Sequence, residues 1–187
     1  MHLGEIIWRR PPRGVVQSLG IWTGSMNKQQ LIDTLQLEPH IQGGYFRRTY
    51  QSSGQWEFGW GLRHSMTSIF YLLTDDSSIG HWHLNRTDIV HCFQLGQPVK
   101  YSVISPEGEF QQHVMGPDLA AGQHLQFTVP GGWWKASELT GGSYGLLSEA
   151  VSPGFDYADM NMGKEDAMLQ QFPHLADEIR RYIKTDL

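Results

Sequence analysis

Three of the nine histidines of this chain, His81, His83 and His91, fall within twelve consecutive residues that also contain Asp88. His81 and His83 are two residues apart. On an extended strand, side chains alternate between faces, so both imidazoles are expected to point the same way, with backbones roughly 6–7 Å apart. Two imidazoles on one strand face, joined by Asp88 returning from the next strand, suit either ligation of a divalent metal ion or the grip of a polar substrate. A mononuclear metal site wants three or four protein ligands, which makes His81, His83 and Asp88 the minimal set. His91 has the opposite strand parity to Asp88, so both face one interior only if a bulge intervenes.

A metal-free chemistry is also legible. Glu149 shares strand parity with Leu147 and Val151, so its carboxylate lies in an apolar neighbourhood and needs a partner or a raised pKa. Lys135 follows Trp133 and Trp134, where an ammonium needs the same help. A Lys135–Glu149 pair beside two imidazoles makes a set for proton transfer or for orienting an anion. On the segment Tyr45–Tyr50, Tyr45, Arg47 and Thr49 share one face, while Phe46, Arg48 and Tyr50 share the other. Arg47 or Arg48 facing a cavity would clamp an anion. A nucleophile-elbow serine motif is absent, and the paired glycines lead into strands rather than helices, which excludes a phosphate-cradling loop.

These residues must be positioned by a β-rich frame. The 187 residues suffice for one domain with a substantial core, and 21 glycines and 9 prolines imply many turns. Apolar or alternating runs of five to eight residues recur between turn signals: Thr67–Leu73, the histidine stretch, Val99–Ser105, Phe110–Met115, Leu125–Val129, the run from Trp133, and Tyr144–Val151. That rhythm is the signature of an all-β sandwich or jelly roll. A helix is expected from Asn27, its N-cap, with Leu31, Ile32 and Leu35 at helical spacing and Pro39 ending it. Two short helices are expected after residue 164, the second carrying Leu175, Ile179 and Ile183 along one face and packing outside the barrel. Residues 51–64 read as a mobile loop. Residues 1–25 read as a poorly ordered extension, or as sequence upstream of the true start, leaving 26–187 as a single domain.

With 14 basic against 19 acidic residues and no basic cluster, the chain lacks the electrostatic footprint of a nucleic-acid binder. No apolar run approaches the roughly 18–20 residues that span a bilayer. The single cysteine, Cys92, permits no internal disulfide and reads as a buried, inert thiol. A cytoplasmic protein without a membrane partner is the expectation.

The histidine pair and the later Pro130-Gly131-Gly132 turn resemble the cupin superfamily. More closely, the chain resembles the cupin-5 branch, through Gly43-Gly44-Tyr45-Phe46-Arg47 with Thr49-Tyr50, Ser68–Leu73, His81-x-His83 with Asp88 and Gly96, Gly116-x-Asp118, Gly122, Val129-Pro130-x-Gly132 and Pro153–Asp159. The resemblance implies a double-stranded β-helix, or jelly-roll barrel, with short flanking helices, a ligand cavity inside it, and pairing as a homodimer. Two departures bear on mechanism. Metal-binding cupins place a further histidine three residues after the Pro-x-Gly turn; here that residue is Lys135, which cannot ligate and would repel a dication. Where the branch carries an Asp-Glu pair, Asp88 is followed by Ile89.

The resulting expectation is a small-molecule-binding barrel acting as a metal-independent isomerase or epimerase on a polar or anionic, sugar- or nucleotide-like ligand. His81 and His83 serve as acid–base groups, Lys135 and Arg47 orient the anion, and Asp88 and Glu149 set the protonation of their neighbours. Tyr45, Trp133 and Trp134 form the aromatic wall, and His91 joins the ligand-binding set. The competing expectations are a metal-dependent dioxygenase or isomerase holding one divalent ion on His81, His83 and Asp88, and a non-catalytic ligand sensor or structural dimer.

Overall fold

The computed structural model describes residues 26–185, so the expected N-terminal extension, residues 1–25, lies outside the described residues. Helix α1 (Lys28–Leu35) starts where the sequence places it: the Asn27 side chain accepts from the Gln30 backbone N–H, and the Gln30 side chain returns to the Asn27 N–H. This reciprocal cap satisfies two N–H groups that the first turn leaves unpaired. The helix ends at Gln36 in the left-handed conformation. Thirteen strands follow among the described residues: β1 (Glu38–Pro39), β2 (Tyr45–Gln51), β3 (Gln55–Phe58), β4 (Gly61–His64), β5 (Thr67–Thr74), β6 (Ile79–Asn85), β7 (Ile89–Gly96), β8 (Val99–Ile104), β9 (Phe110–Met115), β10 (Gln126–Val129), β11 (Trp134–Leu139), β12 (Tyr144–Val151) and β13 (Met160–Met162). Helices α2 (Glu165–Gln171) and α3 (Ala176–Arg181) complete the described chain.

Two antiparallel sheets carry the fold. One runs β1-β2-β5-β12-β7-β10 and the other β13-β6-β11-β8-β9. Their facing surfaces form the jelly-roll barrel that the strand rhythm predicts. Alternation decides what lies between them: Tyr71 and Leu73 of β5, Leu147 of β12, Val99 and Tyr101 of β8, Leu139 of β11 and Met115 of β9 form one buried apolar cluster. That cluster fills one end of the barrel. The same strands continue inward at the other end with Thr67 and Ile69, Glu149 and Val151, and Lys135, which line a cavity instead.

The outer faces are covered by the helices. Leu72 and Leu146 point outward and pack with Leu31 and Leu37 around α1. Trp82, Ile104 and Ala136 of the second sheet pack with Met168 of α2, Leu175, Ile179 of α3 and Tyr182, so the C-terminal helices sit outside the barrel as their apolar stripe implies. The Trp82 indole N–H donates to the Ile179 carbonyl at 3.0 Å.

Residues 51–64 depart from expectation. They form a hairpin, β3 with β4, from Gln55 opposite His64 to Phe58 opposite Gly61. Trp56, Phe58, Trp60 and Leu62 alternate along this segment, and it is fastened from outside: Arg63 makes a two-pronged ion pair to Asp159, at 2.6 and 2.9 Å. Arg86 reaches the same carboxylate at 3.3 Å while lying over the Trp60 ring. Cys92 is half-buried rather than fully enclosed. Among the described residues no helix is long and apolar enough to cross a membrane.

Candidate functional site

The site begins with a defect in a ladder. Strands β6 and β11 pair Lys135 with His83, yet two residues further along β11 Ser137 pairs with Gly80, three residues back along β6. Strand β6 therefore carries one extra residue at His81–Trp82, a β-bulge. The bulge reassigns the faces. Gly80 and His83 turn inward, Trp82 turns outward to the helices, and His81 leaves the inward row. The His81 ring Nδ1 lies 3.1 Å from the Tyr182 carbonyl, on the helix side, and its backbone N–H donates to the Gln42 carbonyl. The expected side-by-side imidazole pair is thus not formed: alternation holds only along an unbroken ladder.

The bulge also fixes the chemistry of His83. The ring's Nδ1 sits 2.7 Å from the His81 carbonyl. A carbonyl only accepts, so Nδ1 carries the proton, and neutral His83 is left with a lone pair on Nε2. Burial, and then the neighbouring Lys135 ammonium, hold this imidazole well below its ordinary pKa. His83 therefore lines the cavity as a neutral hydrogen-bond acceptor.

Opposite it, the two sheets are joined by a polar relay. Lys135, 2% exposed, extends its ammonium to 3.3 Å from His91 Nε2. His91, fully buried on β7, places Nδ1 3.1 Å from a Glu149 carboxylate oxygen and 3.2 Å from the Tyr101 hydroxyl. Glu149 and His91 face each other directly across the β12–β7 ladder. The geometry assigns the protons: the ammonium donates to Nε2, and Nδ1–H donates to the carboxylate. His91 stays neutral because burial and the Lys135 charge both oppose a second proton, against the pull of Glu149. Burial alone would raise the Glu149 carboxyl, but His91 and Lys135 outweigh it and hold it below the usual carboxylate range. Burial likewise lowers the Lys135 ammonium, to about 8, with Glu149 limiting the fall. A lysine so placed is charged at neutral pH and close to giving up its proton.

The remaining wall includes His40, Arg48 and Asn85, of which sequence reasoning singled out only Arg48. His40 lies in the turn before β2, its ring 4.4 Å from the Phe46 ring, edge to face. Its Nδ1 accepts the Gln42 backbone N–H at 3.2 Å, which leaves the proton on Nε2. Burial lowers its pKa to about 4, and Lys135 adds to the fall while Glu149 opposes it. The cavity is thus lined by two neutral imidazoles in opposite tautomers, His83 offering an acceptor and His40 a donor. At the mouth stands Arg48, whose guanidinium donates to the Gln51 side chain at 2.7 Å and the Phe155 carbonyl at 3.2 Å. Asn85, at the end of β6, lines the cavity with its Oδ1 buried and without a hydrogen-bond partner. Counted out to the open mouth, the empty space is about 430 Å³. Arg48 was legible as the alternative to Arg47 by strand parity; His40 stood in a turn and gave no periodic signal.

The expected site residues divide accordingly. His83, Lys135 and Glu149 line the cavity, and His91 joins the last two from behind. His81 lies on the helix side of the bulge. Asp88 is exposed in the turn before β7, where Oδ1 accepts the Gly131 N–H at 2.8 Å and clasps the Pro-Gly-Gly turn. Arg47 points away from the barrel interior and donates to the Leu35 carbonyl of α1 at 3.1 Å. Tyr45 packs with the α1 cluster, Trp134 against the C-terminal helices, and Trp133 lines a separate surface groove with Phe127 and His113. None of those three aromatics forms the cavity wall; Phe46, Ile69 and Phe155 do. The alternative metal set does not converge: among the described residues no three His, Cys, Asp or Glu side chains gather around a common point. The Lys135 ammonium in the same cavity would repel a divalent ion placed beside His83.

Comparison with known proteins gives a consistent assignment. Residues 29–163 match the family model Cupin_5, described as Cupin superfamily (DUF985). An uncharacterized protein of Saccharomyces cerevisiae, YML079W, is 37% identical over 172 residues, covering 81% of this chain and 83% of the yeast protein. Among solved structures, a hypothetical protein from Leishmania major superposes with a TM-score of 0.80 at 27% identity, covering 84% of this chain and 99% of that one. Protein SO0799 from Shewanella oneidensis superposes with a TM-score of 0.79 at 31% identity, covering 86% and 99%.

Proposed function

The chain belongs to the Cupin_5 family of the cupin superfamily, and from that premise we propose that its barrel binds a small anionic or polyhydroxylated molecule and moves a proton on it without a metal ion. The observation that carries the reading is the buried Lys135–His91–Glu149 relay, which ends in the cavity that His83 lines. Such a relay holds an ammonium in a water-poor space, where it stabilises developing negative charge far better than it would in solvent.

The reaction class that fits is isomerisation or epimerisation next to a carbonyl. His83 Nε2 takes a proton from the carbon adjacent to the carbonyl, and the C–H electron pair moves into the carbon–carbon bond as the carbonyl becomes an enolate. The Lys135 ammonium and the His40 Nε2–H donate hydrogen bonds to that oxygen. Returning the proton to the other face of the same carbon gives an epimer; where that carbon bears a hydroxyl, moving the hydroxyl proton to the enolate oxygen and returning the carbon-bound proton to the former carbonyl carbon gives the isomer. A neutral imidazole as donor serves here because it polarises without delivering a full charge. Glu149 keeps Lys135 charged between turnovers.

The test is proton washout. The protein is incubated in deuterium oxide with a panel of small aldoses, ketoses, sugar acids and sugar phosphates, and loss of the C–H signal next to the carbonyl is followed by proton NMR. The expected result is protein-dependent washout for one class of compounds, abolished in His83→Asn, weakened in Lys135→Met, and unchanged by a chelator. Stoichiometric Fe, Mn, Ni or Zn in the purified protein, lost in His83→Ala, would overturn the metal-free reading. Tight binding without washout would assign the barrel to a ligand sensor.

A further inference from the structure

Resting on the reading of the barrel as a ligand site, we infer that the ligand is a hydroxylated anion held end to end, with a hydroxyl donated to Asn85 inside and its carboxylate or phosphate group on Arg48 at the mouth. Two independent observations carry this. Asn85 is 6% exposed and its Oδ1 has no partner. A buried carbonyl oxygen left unpaired is costly, and native proteins rarely retain one without a use. The backbone cannot relieve it: Asn85 is fixed between Met160 of β13 and the Gly132 N–H that its own carbonyl accepts. The oxygen accepts only, so the missing partner is a ligand O–H or N–H. His83 Nε2 is a second acceptor in the same cavity, and two acceptors side by side suit a polyol better than a bare acid.

The other end is set by charge. Arg63 and Arg86 share the Asp159 carboxylate, and neither lines the cavity. Arg48, on the cavity mouth, gives its two hydrogen bonds to neutral oxygens, one amide and one carbonyl, and so keeps its positive charge. Inside, Lys135 and Glu149 offset each other, so the net charge presented to a ligand comes from Arg48. A planar guanidinium with N–H groups to spare recognises a carboxylate or a phosphate by paired hydrogen bonds.

Binding measured by calorimetry on the intact protein tests the inference, with ribose 5-phosphate, 6-phosphogluconate, gluconate, ribose, ribitol and inorganic phosphate as probes. At least one hydroxylated anion is expected to bind more tightly than both its neutral counterpart and inorganic phosphate. Arg48→Gln is expected to weaken that anion by about 10-fold or more and to leave the neutral compound unchanged, the size of one charge-assisted hydrogen bond. Asn85→Leu is expected to erase the advantage of the anion over inorganic phosphate while leaving its salt dependence intact. Arg48 lies on an exposed strand, so that arm stands even if the core variant does not fold. Equal binding of ribose and ribose 5-phosphate, unchanged affinity in Arg48→Gln, or no binding by any anion of the panel would each overturn the inference. Proton washout is a separate readout: anion-selective binding without washout sinks the acid–base reading alone, and washout confined to neutral sugars sinks this one alone.

Discussion

Lowering the pH from about 7.5 to about 5.5 is expected to destabilise the protein through its neutral imidazoles, and His40 gives the size of the effect. Its folded pKa is about 4, against 6.5 when exposed. Below the ordinary value the unfolded chain takes up a proton that the folded chain refuses, so stability falls as the pH falls through that window. Integrating the difference over the window gives a loss of about 1.3 kcal/mol from His40 alone. His83 and His91 are lowered as well, by burial first and by Lys135 second, so they act in the same direction. The two charged partners do not contribute there. Lys135, folded pKa about 8 against an ordinary 10.5, is protonated in both states, and stability from that group rises only as the pH climbs between those values. Glu149 is held below its ordinary value, so its contribution is lost only under still more acidic conditions. The assay is urea unfolding at the two pH values, in wild type and His40→Gln. The wild type is expected to lose more than the His40 share, and the variant to lose about 1.3 kcal/mol less than wild type. A flat stability between the two pH values, or equal slopes in wild type and variant, would refute the assignment of neutral imidazoles.

Three further outcomes follow from the same geometry. Lys135→Met and Glu149→Gln each strand a buried partner and are expected to cost about 3–5 kcal/mol in urea unfolding, while the double variant costs clearly less than the sum. Gly80→Ala would drive a methyl group into the Ser137 hydroxyl and the Tyr71 hydroxyl, and a loss of about 1–3 kcal/mol is expected in thermal unfolding. Asp159→Asn removes the carboxylate shared by Arg63 and Arg86, and hydrogen exchange is expected to speed up in the β3–β4 hairpin while the β5 and β12 amides stay protected.

The barrel was readable because its strands are long and regular. From Thr67 to Leu73 and from Tyr144 to Val151, strict alternation names the inward residues, and Glu149 falls in the row with Leu147 and Val151 as its parity requires. Lys135 and His91 were reachable by the same logic, since Lys135 keeps an unbroken ladder with β8 and His91 pairs within the unbroken Leu147–Val151 stretch of β12. The logic fails at His81, because whether a strand carries an extra residue is decided by its partners: the Gln42 carbonyl and the Tyr182 carbonyl take the N–H groups of His81 and Trp82, and neither is near β6 in sequence. Arg47 and Arg48 were separated only by knowing which face of β2 met the barrel. His40 and Asn85 were invisible for another reason. A turn residue and a strand-end residue carry no period, so nothing local distinguishes them from solvated polar groups. The hairpin at 55–64 differs: Trp56, Phe58, Trp60 and Leu62 do alternate, but what fastens so short a pair is a carboxylate almost a hundred residues away.

The extra residue in β6 makes the length of that strand a property as consequential as its composition. One insertion turns a tryptophan outward, where it anchors the C-terminal segment, and one imidazole inward, where it meets the ligand space. The two jobs are therefore welded together through three consecutive peptide units. A redesign that trimmed β6 to a regular ladder would not merely lose a histidine; it would exchange the wall of the vessel for its fastening.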